Sequence, residues 1–195
     1  CVPGISPVSF SDRALEVVKN RKTKVQSWFL DVGLLMTYWS GETKRAYHHT
    51  APVNAMYALH ESLVILTEEG LEAAWKRHMR NHNALRAGFE AMGLSFIVAE
   101  GSRLPQLNSV SIPEGVDEAA VRKALLTEYS LEIGAGLGAM AGKIWRIGLM
   151  GHASNPRNVL LCLGAMDAIL SGMNAPITSG VAVTKARDYY AANPE

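Results

Sequence analysis

The sequence predicts a mixed α and β fold, and three observations support that prediction. Several segments repeat apolar residues at three- and four-residue steps, the period of a helix that buries one face. Short apolar runs bounded by glycine, proline and polar residues lie between the later helices and are typical of strands. The 195 residues are 48% hydrophobic and 19% charged, which is typical of a globular protein with a buried core.

The N-terminal part is predicted to be helical. Ser11 is suited to cap a helix that runs to about Asn20, and SWFLDVGLLMTYW (27–39) predicts a second helix that ends near Gly41. Pro52 marks the start of a third helix, which the spacing of its apolar residues extends to about Glu68.

Beyond Gly70 the pattern predicts a small α+β domain. The clearest helical stripe runs from about Leu71 to Met92. The later elements are strands in LSFIVA and QLNSVSIP, a helix from about Asp117 to Tyr129, strands in SLEIG and KIWRIGLMG, a helix from about Asn155 to Leu170, and a terminal helix or arm after Pro176. We therefore predict two parts, residues 1–69, belonging to a larger domain, and residues 70–195, the small domain.

Composition argues against several classes of partner. The net charge of +1 lacks the basic excess expected of a nucleic-acid-binding protein. No apolar run reaches the roughly 20 residues of a membrane span, and Cys162, in VLLCLGAM, is expected to be a buried, reduced thiol. The ending YYAANPE is not a peroxisomal signal, so we expect a soluble, cytoplasmic protein.

Two histidine pairs raise the question of a metal site. His78 and His82 stand four residues apart, but HMRNH lacks the glutamate of the metalloprotease motif and both fall on the apolar stripe, which favours packed, hydrogen-bonded rings. His48 and His49 are adjacent and should point in different directions from an extended backbone. We predict no metal site.

The residues around His48 and His49 suggest an anion site. Thr50 is a good N-cap and Pro52 suits a first helical turn, so a helix is expected to begin here, and helix N-termini bind phosphate. Tyr47 adds a second hydroxyl. Taken alone, the pattern favours Thr50 as the cap of its own helix.

Arg146 and the glycines before it form a second constellation. Arg146 lies inside the apolar strand IWRIGLMG and needs an anionic partner, either a structural Asp or Glu or the carboxylate of a ligand. The glycines of GAGLG do not fit a dinucleotide-binding fingerprint and indicate a flexible or closely approached loop.

With YHHT and GLGAMAGKIWRIGLMG together, the chain resembles the class V aminotransferases that use pyridoxal phosphate (PLP), most closely the alanine–glyoxylate aminotransferases. The resemblance runs from CVPGISPVSFS through YHHTAPVNAMYALHESL and RLPQLNSVSIPEGVD to about Leu170. It implies an α/β fold of PLP-dependent transferase type I, with the end of the large domain followed by the small C-terminal domain.

The resemblance also implies roles for particular residues. Tyr47 and Thr50 would reach across the interface of a homodimer to the PLP phosphate, and Arg146 would hold the α-carboxylate of the substrate. Gly136 and Gly138 would approach the substrate. The implied reaction transfers the amino group of alanine to glyoxylate, forming glycine, with serine–glyoxylate and ureidoglycine–glyoxylate aminotransferases as alternatives.

The Schiff-base lysine of the family is not among the residues of this chain. CVPG resembles the residues that follow that lysine, so the lysine is expected immediately before Cys1, and the chain is expected to be the C-terminal portion of a longer enzyme. A different hypothesis is that the segment is a non-catalytic dimerisation or anion-binding module.

Overall fold

The computed structural model describes residues 3–39 and 46–194. The chain divides into two compact units, residues 1–68 and residues 69–195, and each is described by itself. None of the described helices is long and apolar enough to cross a membrane. Cys1 and Gly41, which the sequence analysis used, lie outside the described residues.

The first unit is built from helices α1 (Asp12–Lys19), α2 (Val32–Trp39) and α3 (Val53–Glu69), whose last residue falls in the second unit. The predicted first helix is confirmed, because the Ser11 side chain accepts a hydrogen bond from the Ala14 N–H at 3.3 Å. The three helices contain no buried residue.

Helix α2 is shorter than predicted. The Ser27 hydroxyl accepts from the Leu30 N–H, and the Asp31 carboxylate accepts from the Leu34 N–H at 3.2 Å. Each side chain therefore supports a local turn, and the helix begins only after Asp31. The predicted start at Ser27 was wrong because these capping residues compete with the apolar periodicity.

Over its described residues, 69–194, the second unit combines four α-helices with a three-stranded antiparallel sheet. Strand β3 lies in the middle, in the order β1–β3–β2. The helices are α4 (Leu71–Met92), α5 (Glu118–Tyr129), α6 (Pro156–Gly172) and α7 (Ala182–Ala192), and the strands are β1 (Leu107–Ser111), β2 (Gly134–Ala135) and β3 (Ile144–Gly148). The predicted helices from Leu71, Asp117 and Asn155 are confirmed, with the side chains of Asp117 and Asn155 as N-caps.

Two predicted strands are largely absent. LSFIVA contributes a single bridge, from Phe96 to Val110, before the chain enters a 3-10 turn at Glu100–Ser102. In SLEIG only Gly134 and the following Ala135 form β2. The preceding residues are used to end α5, where Ser130 adopts a left-handed conformation and the Leu131 N–H donates to the Leu125 carbonyl at 3.0 Å.

The core lies between one face of the sheet and the helices. Strands alternate their side chains between faces, and Val110, Trp145 and Ile147 point into the apolar cluster with residues of α4, α5 and α6. Trp145 and Phe89 are its largest fully buried side chains. Arg146, between Trp145 and Ile147, therefore lies on the opposite face of the sheet.

Candidate cofactor and substrate sites

Tyr47 and Thr50 stand together just before helix α3. Their hydroxyl groups are in contact, and both residues are exposed. The first helical hydrogen bond of α3 runs from the Met56 N–H to the Pro52 carbonyl at 3.0 Å, so the N–H groups of the preceding first turn have no partner within the helix. Two hydroxyls and a helix N-terminus are thus close in sequence within one unit.

Thr50 is not the helix cap that the sequence favoured. Helix α3 begins at Val53, which makes Pro52 the residue at the N-cap position, and proline has no side-chain acceptor. The Val53 N–H donates to the Ala51 carbonyl at 2.8 Å. The Thr50 hydroxyl therefore contacts Tyr47 instead of closing the first turn.

The expectation that His48 and His49 point apart was wrong. Their Nδ1 atoms lie within hydrogen-bonding distance, and the ring centroids are 4.3 Å apart. Residues 46–52 have no regular secondary structure, so side chains need not alternate as they do in a strand. Trp28 stacks on His48 with centroids 4.1 Å apart, and the His48 side chain is buried. The His48 ring is thus packed between Trp28 and His49.

His78 and His82 are packed, hydrogen-bonded rings, as the apolar stripe predicted. His78 accepts from the Gly151 N–H through Nε2 at 3.0 Å, and its Nδ1 is 2.6 Å from the Ala74 carbonyl oxygen. The Nδ1 of His82 is 2.6 Å from the Asn108 side-chain oxygen. Within residues 3–39 and 46–194, three or more His, Cys, Asp or Glu side chains nowhere cluster as they would around a metal ion.

Arg146 lies in the middle strand, with Ser109 and Gly134 as its cross-strand neighbours. Its Nε donates to the Ala135 carbonyl at 2.7 Å. No Asp or Glu among the described residues forms an ion pair with it. The structural salt bridge that the sequence left open is therefore absent from the described part of the chain, and the other guanidinium nitrogens retain donors for an anion.

The glycine loop joins β2 to β3. A Cβ at Gly136 would lie 1.9 Å from the Met140 carbonyl oxygen, and Gly138 has φ +54°. The turn itself therefore requires glycine at Gly136 and favours it at Gly138. A role for these two glycines toward the substrate stays a prediction.

Helix α4 anchors the loop that follows β3. Arg77 donates to the carbonyls of Gly151 and Ser154 at 2.9 and 2.7 Å, and it also pairs with Glu69. Hydrogen bonding to this guanidinium lowers the pKa of the Glu69 carboxyl. The loop after the arginine-bearing strand is thus held to helix α4.

Known proteins of similar sequence and structure include several glyoxylate aminotransferases. No protein-family model matches the chain. An (S)-ureidoglycine–glyoxylate transaminase of Bacillus subtilis is 35% identical, and the alignment covers 96% of this chain and 49% of that protein. The chain thus spans about half the length of this curated relative.

Two crystal structures extend the similarity to the fold. A ureidoglycine–glyoxylate aminotransferase from Bacillus subtilis matches with a TM-score of 0.87 at 37% identity, covering 94% of this chain and 47% of that one. An alanine–glyoxylate aminotransferase from Nostoc sp. matches with a TM-score of 0.79 at 46% identity, covering 87% and 45%. Over nearly its whole length, the chain is homologous to about half of a class V aminotransferase.

The fold of this chain is therefore that of the type I PLP-dependent transferases, as the resemblance implied. Aminotransferases of this fold use PLP as cofactor. The assignment of residues 1–69 to the end of the large domain, and the roles of Tyr47, Thr50, Arg146, Gly136 and Gly138, stay predictions.

Sequence reasoning missed two groups that shape these candidate sites. The Ala135 carbonyl, which orients Arg146, carries no sequence signal because any residue has a carbonyl group. Trp28, which stacks on His48, was placed only within the predicted second helix. An aromatic residue beside a polar, histidine-rich segment is a weak signal, and the pairing depends on the tertiary fold.

Proposed function

We propose that this chain forms part of a PLP-dependent aminotransferase that transfers the amino group of alanine to glyoxylate. The observation that carries the proposal is Arg146, set on the open face of the sheet without a carboxylate partner among the described residues. Alanine and glyoxylate each carry a single carboxylate. One arginine can bind the carboxylate of either substrate through two parallel hydrogen bonds.

The segment before α3 supports binding of a phosphorylated cofactor. The hydroxyls of Tyr47 and Thr50 are in contact, exposed, and adjacent in sequence to the N-terminus of a 17-residue helix. Hydroxyl donors beside a helix N-terminus fit a phosphate group. We propose that these residues bind the PLP phosphate, in a homodimer whose partner subunit supplies most other cofactor contacts.

When bound, PLP supplies the electron sink for amino-group transfer. The residues of this chain would hold the reactants in place: Tyr47 and Thr50 at the phosphate, and Arg146 at the substrate carboxylate. Orienting a substrate in this way lowers the entropic cost of reaching the transition state. The lysine expected before Cys1 and the cytoplasmic compartment stay predictions.

The known enzymes of similar sequence and structure use more than one amino donor. Alanine is favoured by the 46% identity to the Nostoc enzyme, and ureidoglycine by the longer alignment with the Bacillus subtilis enzyme. Glyoxylate is the acceptor named in both groups. Alanine, serine and ureidoglycine should therefore be compared as donors with glyoxylate held constant.

The test follows the colour of the bound cofactor. The protein that includes the expected upstream lysine should bleach when alanine is added and recover its absorbance when glyoxylate follows. Tyr47→Phe combined with Thr50→Ala should lose PLP more readily on dialysis, because two phosphate donors are gone. Arg146→Ala should raise the apparent KM for alanine and glyoxylate by about 10- to 100-fold, the value of a charge-assisted interaction, with little effect on PLP retention.

Three results would contradict parts of this proposal. Absence of bleaching with every donor would favour the non-catalytic module. Normal PLP retention in the Tyr47 and Thr50 double variant would remove their phosphate role. Unchanged substrate kinetics in Arg146→Ala would remove the carboxylate assignment.

A further inference from the structure

Gly134 lies directly beside the Arg146 side chain. The two residues are cross-strand partners in β2 and β3. A Cβ at position 134 would lie 3.3 Å from Arg146 Nη2 and 3.5 Å from Cζ. The guanidinium therefore occupies the space that a side chain at position 134 would fill.

The backbone does not require glycine at this position. The φ of Gly134 lies outside the left-handed region that favours glycine, unlike that of Gly138 or Gly142. Glycine also weakens a strand, because it costs more conformational entropy and packs no side chain. The contact that explains glycine here is the one with Arg146.

The neighbouring residue fixes the other side of the guanidinium. Ala135 accepts the Arg146 Nε–H at 2.7 Å through its carbonyl oxygen. Because Nε is engaged, the Nη1 and Nη2 edge is the one left for two-point binding of a carboxylate. A Cβ at position 134 would approach this same Nη2.

The geometry points to Gly134 as a positioning residue for the substrate carboxylate: its missing side chain lets the Arg146 guanidinium lie across β2, with Nε on the Ala135 carbonyl and the Nη1–Nη2 edge presented to the carboxylate. This inference rests on the proposed binding of the substrate carboxylate by Arg146. Gly134 touches neither substrate nor cofactor in this arrangement and acts through Arg146.

Gly148 offers a matched control on the same sheet. A Cβ at Gly148 would lie 3.3 Å from the Met150 methyl carbon, the same separation as at Gly134. That neighbour is the far end of a flexible, uncharged side chain, which can move at little cost. Gly148→Ala thus adds a methyl group at the same contact distance without displacing the arginine.

The experiment compares Gly134→Ala, Gly134→Val and Gly148→Ala in the active, PLP-loaded enzyme. The substrates are alanine and ethylamine, which is alanine without its carboxylate, and the readout is the rate of cofactor bleaching in a single turnover. We expect Gly134→Ala to raise the apparent Kd for alanine about 3- to 10-fold and Gly134→Val by more, since small misplacements of a positioning group are costly. The ethylamine rate and the Gly148→Ala control should stay at the wild-type value.

The crystal structure of Gly134→Val provides a readout independent of activity. Displacement of the Arg146 Nε from the Ala135 carbonyl supports the inference, and retention of the 2.7 Å hydrogen bond overturns it. Wild-type alanine affinity in both Gly134 variants, with a loss in Arg146→Ala, would also overturn it while leaving the proposed function intact. If Arg146→Ala binds alanine normally, the proposed carboxylate site fails, and the inference about Gly134 fails with it.

Discussion

His82 is the buried histidine whose surroundings most clearly oppose protonation. Burial lowers the pKa of its imidazole, and the hydrogen bond to the Asn108 side-chain oxygen opposes this effect without cancelling it. Nearby Arg86 and Arg103 lower the pKa further. The ring is therefore held neutral in the fold at pH values where a solvated histidine binds a proton.

We predict that the free energy of unfolding decreases as the pH falls below about 6.5, the ordinary pKa of histidine. In that range the unfolded chain binds a proton at His82 that the folded chain does not, so acid favours unfolding. His82→Gln should reduce this pH dependence, measured by urea unfolding between about pH 5.5 and 7.5. His60→Gln changes an exposed residue of α3 and should keep the wild-type dependence of the unfolding free energy on pH. If His82→Gln also keeps the wild-type dependence, the prediction is contradicted.

The need of Arg146 for an anionic partner could be predicted from the sequence, but its contacts within the sheet could not. An arginine inside an apolar strand predicts an anionic partner. The sequence does not show that its Nε meets the Ala135 carbonyl or that Gly134 lies opposite, because both contacts depend on the register of β2 against β3. The same holds for His48 and His49, whose side chains converge in a segment without regular secondary structure and stack with Trp28.

At the scale of elements, the close approach of α4 to α6 and α7 depends on one glycine. A Cβ at Gly88 would lie 2.5 Å from a Leu163 methyl carbon of α6 and 3.0 Å from the Ala182 carbonyl oxygen of α7. Both neighbours are buried. A larger residue at position 88 would therefore require the Leu163 side chain to shift or the helices to move apart.

We predict that Gly88→Ala lowers the free energy of unfolding by about 1–3 kcal/mol, the usual cost of overpacking a core. Gly164→Ala in α6 is the matched control, because its Cβ would meet Val183 at an ordinary 3.7 Å. Alanine there should be neutral or stabilising by up to about 1 kcal/mol through helix propensity. Urea unfolding of both variants checks the pair, and equal effects of the two substitutions would show that helix spacing is not set at Gly88.

The helices were more predictable than the strands. The period of apolar residues and the N-caps Asp117 and Asn155 gave α5 and α6 their starts. LSFIVA was wrong as a strand because a short apolar run specifies burial without specifying a hydrogen-bonding partner. Only the bridge at Phe96 forms before the chain turns away from β1.

At the scale of the whole chain, the two units differ in how they bury apolar surface. Helix α4 contains nine buried residues, whereas the 17-residue helix α3 contains none. On α3, Tyr57 and Ile65 are 72% and 55% exposed. Since isolated helices of this length are marginal in water, most helical stability must come from packing.

We therefore predict that the amide hydrogens of α3 in the 195-residue chain exchange much faster than those of α4. Opening α3 exposes little additional apolar surface, while opening α4 breaks the core around Phe89 and Leu85. Hydrogen–deuterium exchange followed by mass spectrometry can compare peptides from the two helices, which adjoin at Gly70 and share the same solvent conditions. Peptides of α3 should approach full exchange, whereas those of α4 should remain protected. The free energy of opening for the α4 amides should be close to that of global unfolding. Equal protection of the two helices would mean that α3 is stabilised by contacts beyond those of the described residues.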